Sequence, residues 1–404
     1  MINMRTIQKD MPLLAQYIYL NTAAASAMPQ PVVNVMTSYL QKQASIGPYL
    51  PSFRKETYEQ VEQIREKTAL FIGARKEEIA FVPNGSMAIN YISGGLDWKI
   101  DDEVIVLDTE MLSNHVPWLA LQQRGVRLKV LKTNTDYMVD LQELKQLITP
   151  HTRLIAFAHM SNAAGALQPA KEICKLAQQY SVLTLINANQ TVGLLPIDVA
   201  ELGCDFLVAS GRKWLRGPEG SGLLYVRQAL ISTIDPIIIG WGSTNWDYEN
   251  NDYSFVETAK RFEPGCPVIP SILGLGAAID YANAIGIQLI YQRVQQLTKY
   301  LIEQLKTIPG IVLYGPQNSE YRLSVTPFNI EGISPDDVTN FLADRGIIIE
   351  AGTFMANTIM ERNHIRKMAR LSPHYFNTFE EIDSAVSSIK EFIELTKTKA
   401  QDSH

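Results

Sequence analysis

A chain of 404 residues, 46% of them hydrophobic, can bury a large core and is long enough for two domains. A net charge of −6 argues against a general surface for nucleic acid, and no apolar run reaches the roughly 20 residues of a membrane span. Three cysteines, Cys174, Cys204 and Cys266, make no disulfide framework, and no Cys/His cluster has metal-ligand spacing, so a cytoplasmic enzyme with no metal is expected.

Short apolar runs alternate with helical patterns from residue 79 onward. Residues 79–82 read as a strand, and a helix opens at Gly85 and Ser86. A strand at 103–107 precedes a helix over 114–123, and one at 153–157 precedes a helix over 170–180. Strands follow at 182–186, 206–208 and 222–226. These strands are continuously apolar rather than alternating, which predicts an α/β fold with a mostly parallel sheet covered on both faces. The pattern then changes. Long helices are predicted over 267–283 and 289–307, strands at 312–314 and 322–325, a helix over 335–344, strands at 347–349 and 369–371, and a last helix over 380–396. That is the pattern of a smaller α+β domain.

The segment 204–218 is the most informative in the chain. An apolar strand delivers Ser210 and Lys213 into a loop that runs on into Gly217, Gly220 and Gly222. A lysine just past a strand end, beside a hydroxyl and glycines, suits an aldehyde cofactor with a phosphate tail. Desolvation and neighbouring cations such as Arg212 and Arg216 lower a lysine pKa until its neutral amine attacks a carbonyl. The segment alone is equally compatible with an Arg-Lys pair in a surface turn.

The rest of the chain decides between these readings. From Tyr19-Leu20-Asn21-Thr22 to Leu371-Ser372-Pro373-His374 it resembles the class V aminotransferase superfamily, fold-type I enzymes that use pyridoxal 5'-phosphate (PLP). The string Gly211-Arg212-Lys213-Trp214-Leu215-Arg216-Gly217-Pro218 is most similar to the branch with selenocysteine lyases, C–S lyases and isopenicillin N epimerase-like proteins. The resemblance implies a large domain with a mostly parallel seven-stranded sheet plus a smaller α+β domain. It implies an N-terminal arm (1–40) joining the small domain, a large PLP-binding domain (41–285) and a C-terminal small domain (286–404). It also implies a homodimer acting on a small amino acid.

On this resemblance Lys213 is the catalytic, cofactor-binding lysine. Gly85 and Ser86 open a helix whose first N–H groups and dipole favour a phosphate, and Ser210 adds a second contact to it. Asn162, Asn187 and Gln190 fall at positions that meet the pyridine ring. Met111 or Leu112 stands where relatives place a flat ring over the cofactor. Cys266 occupies a position where relatives often have Thr touching the phosphate of the neighbouring subunit. Arg370 matches the arginine that takes the substrate carboxylate, and Asn21 and Arg54 are further substrate-binding candidates.

Several of these positions depart from the family pattern. Met87 stands where Glu is usual, and neither Met111 nor Leu112 can shuttle protons. His115 reads as a polar residue at a helix start. Asn187 replaces the Asp that keeps the pyridine nitrogen protonated. An amide offers only a neutral hydrogen bond. A weaker electron sink argues against transamination and for expulsion of a leaving group. The loop 350–358 contains no cysteine, which argues against a persulfide-forming desulfurase. The first expectation is a PLP-dependent lyase catalysing β- or γ-elimination. An epimerase or cyclising enzyme, an aminotransferase and a degenerate PLP-binding protein remain as alternatives.

Overall fold

The computed structural model describes residues 4–401. The outermost residues of the expected arm and small domain, 1–3 and 402–404, lie outside the described residues.

A seven-stranded sheet organises residues 79–226. Its order is Ile79–Phe81, Gly222–Val226, Phe206–Ser210, Leu183–Asn187, Thr152–Ala158, Glu103–Leu107 and Arg127–Leu131. Every pairing is parallel except the two made by Gly222–Val226. The continuous apolar runs have a simple cause. Apart from the edge strand Arg127–Leu131, which is partly exposed, alternate residues of the strands feed two different cores. Ile105, Ile155, Phe157, Ile186 and Leu207 pack on one face. Val104, Val106, Leu154, Leu185 and Val208 pack on the other. Burying one such side chain contributes roughly 1.5–3 kcal/mol, and strands buried on both faces have no polar side to show.

The helix expected over 114–123 is broken into Leu112–Asn114, Val116–Ala120 and Leu121–Arg124. Pro117 fits only the first turn of a helix, and Gly125 at φ 79° closes the run. Residues 241–255, which carried no clear pattern, contain the hairpin Thr244–Asp247 and Asp252–Phe255.

A second, four-stranded antiparallel sheet has the order Ile311–Leu313, Thr326–Ile330, Met368–Leu371, Glu350–Gly352. Helices Ile287–Leu305, Pro335–Ala343 and Phe379–Gln401 flank it, and Leu301, Phe328, Leu342, Leu371 and Ile389 form its core. The strand expected at 322–325 lies instead at Thr326–Ile330. Ser324 takes φ 56°, which stops a strand before it, and Pro327 costs the ladder only one donor near the strand start. Ile18–Tyr19 pairs in parallel with Ile347–Ile348, so the N-terminal segment is stitched to this part of the chain. Asn21 bridges to Ser372 just beyond. Among the described residues no single helix is long and apolar enough to cross a membrane.

Candidate active site

The parallel strands end along one edge of the large sheet, where Asn187 and Ser210 are the last residues of their strands. In open α/β sheets this edge is where ligands sit. After Ser210 the chain makes a compact loop closed by backbone bonds. Gly217 N–H donates to Gly211 O at 2.8 Å, and Arg216 N–H to Lys213 O at 2.9 Å. Trp214 is fully buried and donates through Nε1 to Gln190 Oε1 at 2.8 Å. Its neighbour Lys213 is thereby aimed into a cavity of about 430 Å³ lined also by Gly85, Ser86, Met111, Asn189 and Ser210.

Lys213 has cations around it. Burial first, then Arg370 and Arg212, bring its pKa down to about 7, with Glu350 pulling the other way. An amine with that pKa is substantially neutral, and therefore nucleophilic, at neutral pH.

The wall opposite Lys213 is the start of helix Gly85–Gly95. Asn84 caps it by accepting from Met87 N–H at 2.9 Å. The Gly85 and Ser86 N–H groups lie ahead of the helical ladder. A Cβ at Gly85 would come within 2.3 Å of Asn189 Nδ2, so any side chain there would have to push the Asn189 amide aside. Asn189 in turn fixes Asn187. Asn187 Oδ1 accepts from the Asn189 backbone N–H at 3.2 Å and from Asn189 Nδ2 at 2.7 Å. A backbone N–H can only donate, so the amide oxygen of Asn187 is the atom turned toward Asn189. Its Nδ2 donates to no described residue and remains a hydrogen-bond donor for something else. Asn189 Oδ1 is buried with no partner among the described residues.

The other expected site residues divide into two groups. Gln190 is buried beside this cluster, with Nε2 donating to Ala23 O at 3.1 Å. Asn162 is buried, and its Nδ2 donates to Phe354 O at 2.8 Å. Arg370 is buried too. It donates to Asn162 O at 2.8 Å, to Glu350 Oε2 at 2.6 Å and to Asn21 Oδ1 at 3.5 Å. Burial holds its pKa down at about 10 against the pull of Glu350. Of the pair Met111 and Leu112, Met111 lines the Lys213 cavity. Leu112 is 40% exposed, and its N–H donates to Met355 O at 3.0 Å. Cys266 and Arg54 do not line the Lys213 cavity. Both line a separate cavity of about 210 Å³, and Cys266 is exposed. Arg54 lies over the rings of Tyr49 and Tyr58, at 5.0 and 5.8 Å.

Three residues at the site carry no clear signal in the sequence. Asn189 could be found only by pairing its bulk with the missing side chain at Gly85. Glu350 opens a segment read only for its lack of cysteine. Glu110 is wholly buried, accepting from Ala158 N–H and Asn114 Nδ2, both at 2.7 Å. Burial pushes its pKa up to about 8.

The class V aminotransferase family matches residues 18–384. The chain belongs to that family. A Methanothermobacter thermautotrophicus protein named as a probable cysteine desulfurase is 35% identical over 398 residues, covering 97% of this chain and 99% of that one. A cysteine desulfurase of Escherichia coli is 33% identical, covering 95% and 97%. An apo cysteine desulfurase structure from Thermococcus onnurineus NA1 superposes with a TM-score of 0.92 at 30% identity, over 98% of each chain. This chain is a PLP-dependent, fold-type I class V enzyme. Its own residues fit that cofactor. The cluster offers a depressed-pKa lysine for an aldehyde, a helix start and two serines for a phosphate, and a free amide donor at the sheet edge for a ring nitrogen.

Proposed function

We propose that this enzyme is a lyase of the C–S lyase type, removing a sulfur leaving group from Cβ of a cysteine-like amino compound. The cofactor supplies an electrophilic carbon that holds the substrate amine and a ring that accepts electron density from Cα. Lys213 is the residue that would hold that carbon before the substrate arrives, and its amine, once free, would take the proton from Cα. Ser86, Ser210 and the N–H groups of Gly85 and Ser86 hold the phosphate. Asn162, Gln190 and Met111 position the ring, and Arg370 with Asn21 sets the carboxyl end of the substrate. The Cβ–S bond would then break with its electron pair leaving on sulfur, the proton held by Lys213 would pass to that sulfur to release the thiol, and water would hydrolyse the remaining enamine to ammonia and a carbonyl product.

The observation that carries this reading is the orientation of Asn187. Its carbonyl is held by Asn189, so the group left for a ring nitrogen is an N–H donor, which pairs with an unprotonated nitrogen. That weakens the electron sink and disfavours the long-lived carbanion that transamination and racemisation need.

The names of the relatives favour a second reading, cysteine desulfurase. Loop 350–358 has no thiol, and at its exposed tip stands Met355, 53% exposed. A desulfurase would leave alanine from cysteine, whereas the lyase leaves ammonia and a carbonyl product. The test is incubation of the holoenzyme with cysteine, S-substituted cysteines and their carboxamides. Ammonia and thiol in equal amounts support the lyase, and alanine overturns it.

The homodimer belongs to this proposal. Cys266 and Arg54 lie away from Lys213 in their own protomer, and Ile238, Trp241 and Val268 are exposed apolar side chains around the 259–268 segment. A second copy that covers them brings Cys266 to the partner's phosphate end.

A further inference from the structure

Arg370 and Glu350 are opposite each other across antiparallel strands, Cα partners in register. Strand register therefore holds the two side chains side by side on one face of the sheet. Glu350 Oε2 accepts from Arg370 Nη2 at 2.6 Å. The rest of the guanidinium is also committed. Nη1 donates to Asn162 O at 2.8 Å, and the plane lies 3.9 Å from the Phe354 ring centroid. Nε is buried without a partner among the described residues. Among the described residues Arg370 is the only ion-pair partner of Glu350. Arg370 is 3% exposed at its side chain and Glu350 39%, so the carboxylate forms the solvent-facing side of the pair.

This arrangement has a direct consequence for substrate choice, resting on the reading that Arg370 faces the carboxyl end of the substrate. The fork of donors that would take a free carboxylate already holds one. An incoming carboxylate meets a like charge at the same nitrogen, and must displace an ion pair fixed by strand register.

We propose that Glu350 is a specificity-determining residue, filling the Arg370 subsite with an internal carboxylate so that the enzyme selects amino substrates whose carboxyl is absent or masked as an amide or ester. The subsite is close to neutral overall. A carboxamide or ester fits it by hydrogen bonding, with no charge to be compensated. A free α-amino acid fits only at the cost of moving Glu350 into water.

Glycine and glycinamide test this in the holoenzyme. They differ only at the carboxyl group and carry no leaving group, so neither can be eliminated. Dissociation constants for the unprotonated amine come from the change in visible absorption of the bound cofactor. The wild type is expected to bind glycinamide more tightly than glycine. Glu350→Gln should tighten glycine about tenfold or more while moving glycinamide less than about twofold. Glu350→Ala gives a second, independent removal of the charge and should shift the ratio in the same direction. An unchanged glycine-to-glycinamide ratio in both variants would overturn the proposal, as would equal tightening of both ligands. Absence of thiol release from every cysteine derivative would instead remove the lyase reading, while leaving the ratio measurement valid as a test of Glu350.

Discussion

The two cations of this site have opposite surroundings. Among the described residues Lys213 has no carboxylate in ion-pair contact, and desolvation with Arg370 and Arg212 lowers its pKa to about 7. Arg370 has Glu350 at 2.6 Å and a carbonyl at 2.8 Å. One cation is left reactive and the other is quenched. At one end, the Lys213 cavity holds the lysine, the serines and the helix start. On the reading proposed above, the end that meets the rest of the substrate is Arg370 with Glu350 and Phe354 around it. Family membership fixes the first end. The second end sets what the enzyme acts on.

The largest effect separating the two ends comes from Lys213→Ala. Borohydride treatment of the wild type should leave a stable adduct on the peptide containing Lys213, found by mass spectrometry, and the variant should show none. Turnover should fall by roughly a thousandfold or more. An adduct on another lysine would move the reactive end elsewhere.

The titration of Lys213 sharpens the same contrast. Cofactor attachment to the apo protein needs the neutral amine. The rate should rise as pH approaches about 7 and level off above it. An ordinary lysine would keep gaining to beyond pH 10. Glu350 is the group raising this pKa, so Glu350→Gln should move the plateau to lower pH. A stopped-flow absorbance series over pH reads both outcomes.

Gly85→Ala should have a smaller effect. Its Cβ would sit 2.3 Å from Asn189 Nδ2 and push that side chain away from Asn187. A loss of about 1–3 kcal/mol is expected from such overpacking, visible as a lower Tm. Adding Asn189→Ala should recover most of it. No recovery would mean that the two residues do not share this space.

Much of the fold was legible in the sequence because the large sheet is buried on both faces. Runs such as 154–157 announce themselves by unbroken apolar character, and Lys213 by its position after a strand of this kind. The second sheet was harder. Its strand at Thr326–Ile330 contains Pro327, a residue that normally argues against a strand. The cofactor residues of the site could be read from motif strings, but Asn189 and Glu350 could not. Each acts through a neighbour distant in sequence: Gly85 in one case, Arg370 in the other. Side-chain orientation is a property of the folded site, so the string showed that Asn187 is an amide without showing which end of it is presented.

That orientation is the centre of the account, and the ring nitrogen reports it directly. The holoenzyme should be prepared with cofactor labelled with ¹⁵N in its ring and examined by NMR. An N–H donor from Asn187 predicts a resonance in the unprotonated pyridine range, moving to the protonated range in Asn187→Asp. A wild-type nitrogen already protonated at neutral pH would contradict the account.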